Sequence, residues 1–278
     1  MSIKGFTTED LVSRPEEIAA ALEEDGVVKV LSFHTLETVN HLCELLRSCM
    51  DNIRDEVGEV RLTRAGEAGV VRVPLKFHRE FLDMASDSRL LRIIERFVGA
   101  SSILHLQNGF ILKPTSKQLL KSTEVFQGKW HRDFPRFTGP IPLSVNAFHV
   151  LSDFSSETGA TEFIPKSHLS NESLDSHLKK LKPVVASGSP GDVLLFDSTI
   201  WHRAGVNQSD ADRLAVNNQY TFSWMKQQLD LPRLLGEPFF SDLSERQEQL
   251  LGRYTRVPAA YDEFYTAPED RLYRGGQG

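Results

Sequence analysis

The chain has 278 residues, 40% apolar and 25% charged, which is the composition of an ordinary globular protein and excludes a fibrous or disordered one. At about 150 residues per domain the length predicts one or two domains, and all-β sandwiches and barrels often form one unit of about 200 to 250 residues. We therefore predict a single domain over residues 1–278. The 32 basic and 38 acidic residues give a net charge of -6, so no positive field is available to hold nucleic acid.

Cysteine usage and hydropathy predict the cellular setting. Cys43 and Cys49 lie in one predicted helix at a spacing that points them to different faces, so no disulfide is expected. No stretch approaches the roughly 18 uncharged apolar residues of a membrane span, and the first residues lack a signal-peptide core. We expect a cytoplasmic protein with reduced thiols and no membrane partner. The sequence leaves the oligomeric state open.

Residues 1–100 predict a helical scaffold with an inserted strand. A helix starts near Asp10, carries apolar residues at helical spacing and ends at Gly26. A β-rich run follows at 27–30, and two more helices are predicted over 36–53 and 79–97.

Residues 103–226 carry a different pattern, in which short apolar runs alternate with clusters of Pro, Gly, Ser and Asp. This pattern is typical of many short strands in a sandwich or barrel. The predicted strands are 103–106, 109–112, 143–151, 161–164, 193–196 and 214–224. Residues 227–278 predict a helix near 243–251 and a tail. The fold class is therefore mainly β with flanking helices.

His131 is the most informative of the nine histidines. Residues two apart on a strand project to the same face, so His131 and Asp133 can bind one ion. An imidazole and a carboxylate are two of the three ligands in the facial triad that holds non-haem Fe(II). His202 follows the predicted strand 193–196 and supplies the third. We predict that His131, Asp133 and His202 bind the metal and are catalytic.

Arg213 stands eleven residues after His202 and opens another β-prone run. Its planar, permanently charged guanidinium suits a carboxylate held by two parallel hydrogen bonds. A metal triad followed by a buried arginine predicts a dicarboxylate co-substrate.

Other interpretations of these motifs are weaker. A single His-x-Asp pair is more often a hydrogen-bonded pair than a metal site, but the order, the strand contexts, the trailing arginine and the separation of 71 residues between His131 and His202 agree with a metal site. His-Arg-Asp also opens the catalytic loop of protein kinases, yet Thr138 stands where that loop needs Asn. Cys-x-x-Cys pairs, a P-loop and a G-x-S-x-G elbow are absent from the sequence.

With these residues identified, the chain resembles the phytanoyl-CoA dioxygenase family of Fe(II)- and 2-oxoglutarate-dependent oxygenases. The resemblance extends from the N-terminal helices to about residue 255. Three blocks carry it: His131-Arg-Asp133; residues 151–168, with Glu-Thr-Gly-Ala-Thr and Pro-Lys-Ser-His; and residues 191–197 with His202 and Arg213. Family members carry Asn-Gly-Ala-Thr and Pro-Gly-Ser-His in the middle block.

The resemblance implies a double-stranded β-helix, the cupin-like jelly roll, with Fe(II) on the triad, 2-oxoglutarate and O2 as co-substrates, and the distal carboxylate on Arg213. Related enzymes add a Gln, a Thr and sometimes an early Arg to hold 2-oxoglutarate, and the nearest matches are Gln127, Thr161 and Arg72. Gln127 stands one residue farther from the histidine than usual, and Ala204 replaces a Ser of some relatives. Related halogenases lack the carboxylate, so Asp133 favours hydroxylation, desaturation or another oxidation.

Aromatic residues near the motifs predict an apolar or ring-containing small-molecule substrate, such as a secondary metabolite. Trp130 and Phe137 are the predicted pocket residues, and Arg136 is either an anion contact or a surface arginine.

The sequence thus predicts an oxygenase that oxidises an unactivated C–H and releases succinate and CO2. One alternative is a non-catalytic jelly-roll binding module with a structural metal, and another is a jelly-roll isomerase or hydrolase that uses a different divalent ion. Arg213 favours the oxygenase, because a structural metal does not require it.

Overall fold

The computed structural model describes residues 2–115, 127–134, 137–139, 141–271 and 274–277. Within them a seven-stranded and a three-stranded sheet form the framework, and helices cover the outer face of the larger sheet. The strands are β1 Lys4–Thr7, β2 Val27–Leu31, β3 Val70–Arg72, β4 Ile103–Leu112, β5 Ser144–Val150, β6 Glu162–Phe163, β7 Val184–Val185, β8 Val193–Asp197, β9 His202–Arg203 and β10 Arg213–Thr221.

The helices are concentrated before β4 and after β10. They are α1 Asp10–Ser13, α2 Pro15–Asp25, α3 Leu36–Val57, α4 Glu59–Arg64, α5 Glu80–Ala85, α6 Ser88–Val98, α7 Leu174–Lys180, α8 Leu231–Leu235, α9 Glu245–Leu250 and α10 Tyr261–Phe264. None of the helices in the described ranges combines the length and the apolar character needed to cross a membrane.

The larger sheet has the order β1-β2-β8-β5-β10-β4-β3 and is antiparallel except for the β1–β2 pair. The smaller sheet has the order β7-β6-β9, and residue 131 extends it through a bridge to residue 202. From β5 to β10 the chain passes back and forth between the two sheets. This arrangement is the double-stranded β-helix that the family resemblance implies.

Alternation along the strands divides the apolar core in two. Leu214, Val216 and Tyr220 of β10 pack with the helices on one side of the larger sheet. Ala215 of the same strand packs between the two sheets, together with Phe148 and other inward-pointing residues. The space between the sheets is where the candidate site lies.

A buried chain of hydrogen bonds runs through the helix-covered side. Gln107 accepts from Leu75 N through Oε1 at 2.9 Å, so its Nε2 must donate to Asn218 Oδ1 at 2.8 Å. Asn218 Nδ2 then donates to His149 Nε2 at 3.1 Å. His149 therefore carries its hydrogen on Nδ1 and donates it to His34 Nε2, 2.9 Å away. This order of donors requires both imidazoles to be neutral.

The structure differs from several of the predicted elements. The runs 103–106 and 109–112 form one strand, β4. The helix predicted over 79–97 is divided into α5 and α6, because Asp87 caps α6 by accepting from Arg89 N at 2.9 Å. The N-terminal region is not only a helical scaffold, since it contributes β1, β2 and β3 to the larger sheet. Both cysteines are free thiols, as expected.

Candidate metal centre and co-substrate cavity

The three predicted ligands converge at one point between the sheets. The backbones of His131 and His202 pair through hydrogen bonds of 2.9 and 3.0 Å, which places the two imidazoles side by side. Asp133 Oδ1 lies 3.7 Å from His131 Nε2 and 3.6 Å from His202 Nε2. One ligand atom from each residue lies within 4.8 Å of the other two.

Backbone carbonyls orient both imidazoles. His131 Nδ1 donates to Lys129 O at 2.9 Å, and His202 Nδ1 donates to Ile200 O at 3.0 Å. Each bond leaves the Nε2 lone pair directed at the common centre, which is the arrangement that metal-binding histidines adopt. His131 Nε2 is buried and has no hydrogen-bond partner in the described part of the chain. The donor set and this unpartnered atom fit a divalent metal ion.

Burial favours the neutral, metal-binding form of the inner histidine. Desolvation lowers the pKa of His202 below its ordinary value, although the Asp133 carboxylate partly opposes the shift. A neutral imidazole is the form that coordinates a metal.

A buried amide network supports the carboxylate ligand. Asn146 donates through Nδ2 to Asp133 Oδ2 at 3.1 Å and to Ser198 Oγ at 2.8 Å. Asn217 Nδ2 donates to Asn146 Oδ1 at 2.8 Å, and Gln219 Nε2 donates to Ser198 Oγ at 2.9 Å. The sequence analysis did not identify these residues, although uncharged polar residues within the apolar strand runs were a signal.

The metal centre opens into a cavity of about 560 Å³. Asp133 and His202 line it together with Arg213, and aromatic side chains form part of its wall. The lining residues used below are Leu106, Asn108, Phe110, Gln127, Phe148, Thr161, Phe196, Ala204, Asn217 and Gln219.

Arg213 is a buried cation with no anionic partner among the described residues. It is 4% exposed, its Nη1 donates to Gly159 O, and its guanidinium carbon lies 4.8 Å from the centroid of the Phe154 ring. Its Nε has no hydrogen-bond partner in the part of the chain that the structure describes, and no carboxylate there pairs with it. Burial lowers its pKa to about 10. The guanidinium is therefore charged at neutral pH, and the residues in the described ranges supply no counter-ion.

Two of the three additional co-substrate contacts expected from the resemblance lie at this cavity. Thr161 and Gln127 line it, and Gln127 O accepts a hydrogen bond from Ala204 N at 2.9 Å. Arg72 is not among the residues that line the cavity, but it is the direct partner of Asn108 across the β3–β4 pair, so its contact with 2-oxoglutarate stays a prediction. Its guanidinium is held by Glu67, with Nε 2.8 Å from Oε2, and Nη1 lies 3.0 Å from Gln228 Oε1.

The two predicted substrate contacts also lie elsewhere. Trp130 packs under Arg203, with 4.7 Å between the guanidinium carbon and the ring centroid. Phe137 lines a separate cavity of about 300 Å³. The aromatic residues at the metal-containing cavity are Phe110, Phe148 and Phe196 instead. Arg136 lies outside the described residues.

The fold and the site define a class: a double-stranded β-helix protein with a His-Asp-His facial triad and a buried arginine on one cavity. Comparisons with known proteins agree. Residues 22–215 match the family model for phytanoyl-CoA dioxygenase (PhyH). The uncharacterized protein Rv1501 of Mycobacterium tuberculosis is 42% identical over 228 residues, covering 82% of this chain and 83% of that protein.

A more distant relative and a solved structure also match the chain. Dioxygenase cdmA of Talaromyces verruculosus is 26% identical over 245 residues, covering 80% of this chain and 79% of that protein. The crystal structure of the epimerase SnoN with Fe3+, alpha ketoglutarate and nogalamycin RO has a TM-score of 0.58 at 19% identity, covering 84% of this chain and 91% of that one. The chain belongs to the phytanoyl-CoA dioxygenase family, which confirms the enzyme class expected from the sequence, a 2-oxoglutarate-dependent non-haem iron dioxygenase.

Proposed function

We propose that this protein uses Fe(II), 2-oxoglutarate and O2 to oxidise an unactivated C–H of a small molecule, with His131, Asp133 and His202 as the iron ligands. Hydroxylation is the simplest reaction of this kind, and desaturation is a second one. A secondary metabolite is the proposed kind of substrate, and two free thiols agree with the proposed cytoplasmic location.

The observation that carries the proposal is the unpaired guanidinium of Arg213 on the same cavity as the triad. A buried charge is costly unless it is paired, so a cation left without a partner indicates that a ligand supplies the anion. A dicarboxylate can satisfy Arg213 with one end and reach the metal centre with the other. A structural metal site has no use for such a cation.

Each protein group then has a defined task. His131 and His202 direct their Nε2 atoms at the metal position, and Asn146 holds the Asp133 carboxylate in place. Arg213 binds the distal carboxylate of 2-oxoglutarate, and Thr161 and Gln127 are proposed as further contacts. When bound, iron and 2-oxoglutarate supply the oxidising power, and succinate and CO2 are the by-products. The apolar cavity walls limit access of bulk water.

Anaerobic absorption spectroscopy tests the proposal against its alternatives. Adding Fe(II) and then 2-oxoglutarate is expected to produce a weak visible charge-transfer band, and admitting O2 should yield succinate. A protein that binds metal but gives neither the band nor succinate would support the non-catalytic binding module. Turnover of a substrate without O2 or succinate would support an isomerase or hydrolase.

Substituting Arg213 tests the co-substrate contact directly. Loss of a charge-assisted pair worth about 1.5 to 3 kcal/mol should weaken 2-oxoglutarate binding roughly 10- to 100-fold in Arg213→Gln. Arg213→Lys should retain part of the affinity. Calorimetry on the Mn(II)-loaded protein measures this without turnover, and Mn(II) affinity should not change.

Arg79→Gln is the matched control for this measurement. Its guanidinium pairs with Asp242 at 3.0 Å and does not line the cavity, so 2-oxoglutarate affinity should stay at the wild-type value. If Arg213→Gln binds 2-oxoglutarate as tightly as the wild type, Arg213 is not the carboxylate partner.

A further inference from the structure

Two buried carboxamide oxygens on the cavity wall lack hydrogen-bond donors. Asn108 is 4% exposed and Asn217 is 8% exposed, and both line the cavity. Neither Oδ1 atom has a partner in the described part of the chain. The two residues are direct partners across the β10–β4 pair, so their side chains lie side by side.

The direction of the Asn217 amide follows from the metal ligand. The Asp133 carboxylate only accepts hydrogen bonds, so Asn146 must present Nδ2 to it. Asn146 Oδ1 is therefore an acceptor, and Asn217 must donate to it through Nδ2. The network thus fixes an orientation that crystallographic density often leaves ambiguous. The carbonyl oxygen is the end of Asn217 that remains for a ligand.

Gln219, two residues after Asn217 on β10, also has its amide orientation fixed by its hydrogen-bond partners. Ser198 Oγ accepts from Asn146 and donates to Ser144 Oγ at 2.8 Å, so Gln219 must donate to it through Nε2. The carbonyl end of Gln219 is again the part left for a ligand at the cavity it lines.

The cavity therefore has two chemically opposite regions. Arg213 and Asn217 lie on the same face of β10, and four residues at about 3.3 Å each separate them by about 13 Å. The Arg213 region offers a cation, whereas Asn108 and Asn217 each present a carbonyl oxygen that has no donor among the described residues. Leu106, Phe110 and Phe148 line the cavity as apolar wall.

We propose that the carbonyl oxygens of Asn108 and Asn217 select a substrate with a hydroxyl or N–H group on an otherwise apolar, ring-sized body. A substrate whose donor is capped by a methyl group leaves two buried acceptors unpaired and binds less tightly. This inference rests on the proposed function, since it places the substrate beside 2-oxoglutarate in one cavity.

Matched pairs of fused-ring compounds test the inference. Each pair contrasts a secondary alcohol with its methyl ether, or a lactam with its N-methyl lactam. Binding is measured by saturation-transfer NMR and titration on protein loaded with Zn(II) and 2-oxoglutarate, which does not turn over. At least one donor-bearing compound should bind at least about fivefold more tightly than its capped partner, the ratio expected when a buried acceptor loses its donor.

Two variants at one position link the preference to the acceptor. Asn108→Leu removes one of the two carbonyls and leaves that of Asn217, so the ratio should fall below the wild-type value. Asn108→Asp keeps an acceptor and should keep the wild-type preference. An unchanged ratio in Asn108→Leu overturns the inference, and so does the absence of any preference in the wild type, including the case in which no probe binds.

The affinity for 2-oxoglutarate, measured in the same samples, separates this inference from the proposed function. Tight 2-oxoglutarate binding without a donor preference contradicts only the acceptor pair. Absence of 2-oxoglutarate binding contradicts the proposed function itself.

Discussion

Asn217 and Asn218 are consecutive residues of β10, but their side chains lie on opposite faces of the sheet and are used differently. On the helix-covered face, Asn218 is paired at both ends, with Gln107 at 2.8 Å and His149 at 3.1 Å. On the cavity face, Asn217 uses its NH2 group on Asn146, and its carbonyl oxygen has no donor in the described part of the chain.

Two arginines show the same contrast. The half-buried Arg246 is bound to Glu95 and to the backbone and side chain of Ser102, at 2.8 to 3.0 Å. The buried Arg213 has one carbonyl contact and no carboxylate partner among the described residues. A buried guanidinium in that state can pair with an anionic ligand, as proposed above.

The largest expected effect comes from removing the metal ligands on the cavity face. His131→Ala and Asp133→Ala should each reduce metal content and succinate formation to background, because two ligands of a facial triad bind the ion poorly. The fold should persist, since neither residue belongs to an apolar core cluster. Metal analysis, succinate assays and thermal unfolding of the metal-free proteins measure these effects.

The control for this prediction is His41→Ala, which changes an exposed histidine on α3. It should leave metal content, succinate formation and unfolding temperature unchanged. Full metal content together with wild-type succinate formation in His131→Ala would contradict the assigned ligand set.

The next largest effect is a loss of stability in acid on the helix-covered face. Burial lowers the pKa of His34 to about 4, whereas an unfolded histidine titrates near 6.5. The unfolded state therefore binds the proton first, and stability present above pH 6.5 is lost as the pH falls to about 4. The shift corresponds to about 3 kcal/mol of unfolding free energy.

Urea unfolding between pH 7 and pH 4.5 measures this loss. His34→Gln keeps an acceptor for His149 but does not titrate, so its stability should fall less steeply over the same range. His149 is also held neutral by burial, so part of the dependence should remain in the variant. Equal slopes for the variant and the wild type would contradict the role of His34.

The convergence of His131, Asp133 and His202 could be predicted from the sequence because strand alternation brings residues 131 and 133 to one face. The predicted strand before residue 202 indicated the third member of the cluster. The same alternation explains why Trp130 does not reach the cavity, since a residue next to His131 points the other way. Nearness in sequence to a ligand was not a sufficient criterion for a pocket residue.

The acceptor pair could not be predicted, because it depends on the register between strands. Asn108 and Asn217 are 109 positions apart in sequence, from 108 to 217, and become neighbours only through the β4–β10 pairing. The N-terminal strands were missed for a similar reason. β3 has three residues and is stabilised by its pairing with β4 rather than by its own sequence pattern.

The smallest expected effect is a difference in unfolding free energy between two Asn→Leu variants, one on each face of the sheet. Asn218→Leu removes the donor to His149 Nε2 and one of the two acceptors of Gln107 Nε2, so a buried nitrogen of His149 loses its partner and the unfolding free energy should fall by about 2 kcal/mol. Asn108→Leu removes an oxygen that is already unpaired, so stability should stay within about 0.5 kcal/mol of the wild type or rise slightly. Urea unfolding of the two variants at pH 7 measures the difference. Equal losses would show that the Asn108 carbonyl contributes to the fold as Asn218 does, and that the contrast between the faces does not mark a ligand site.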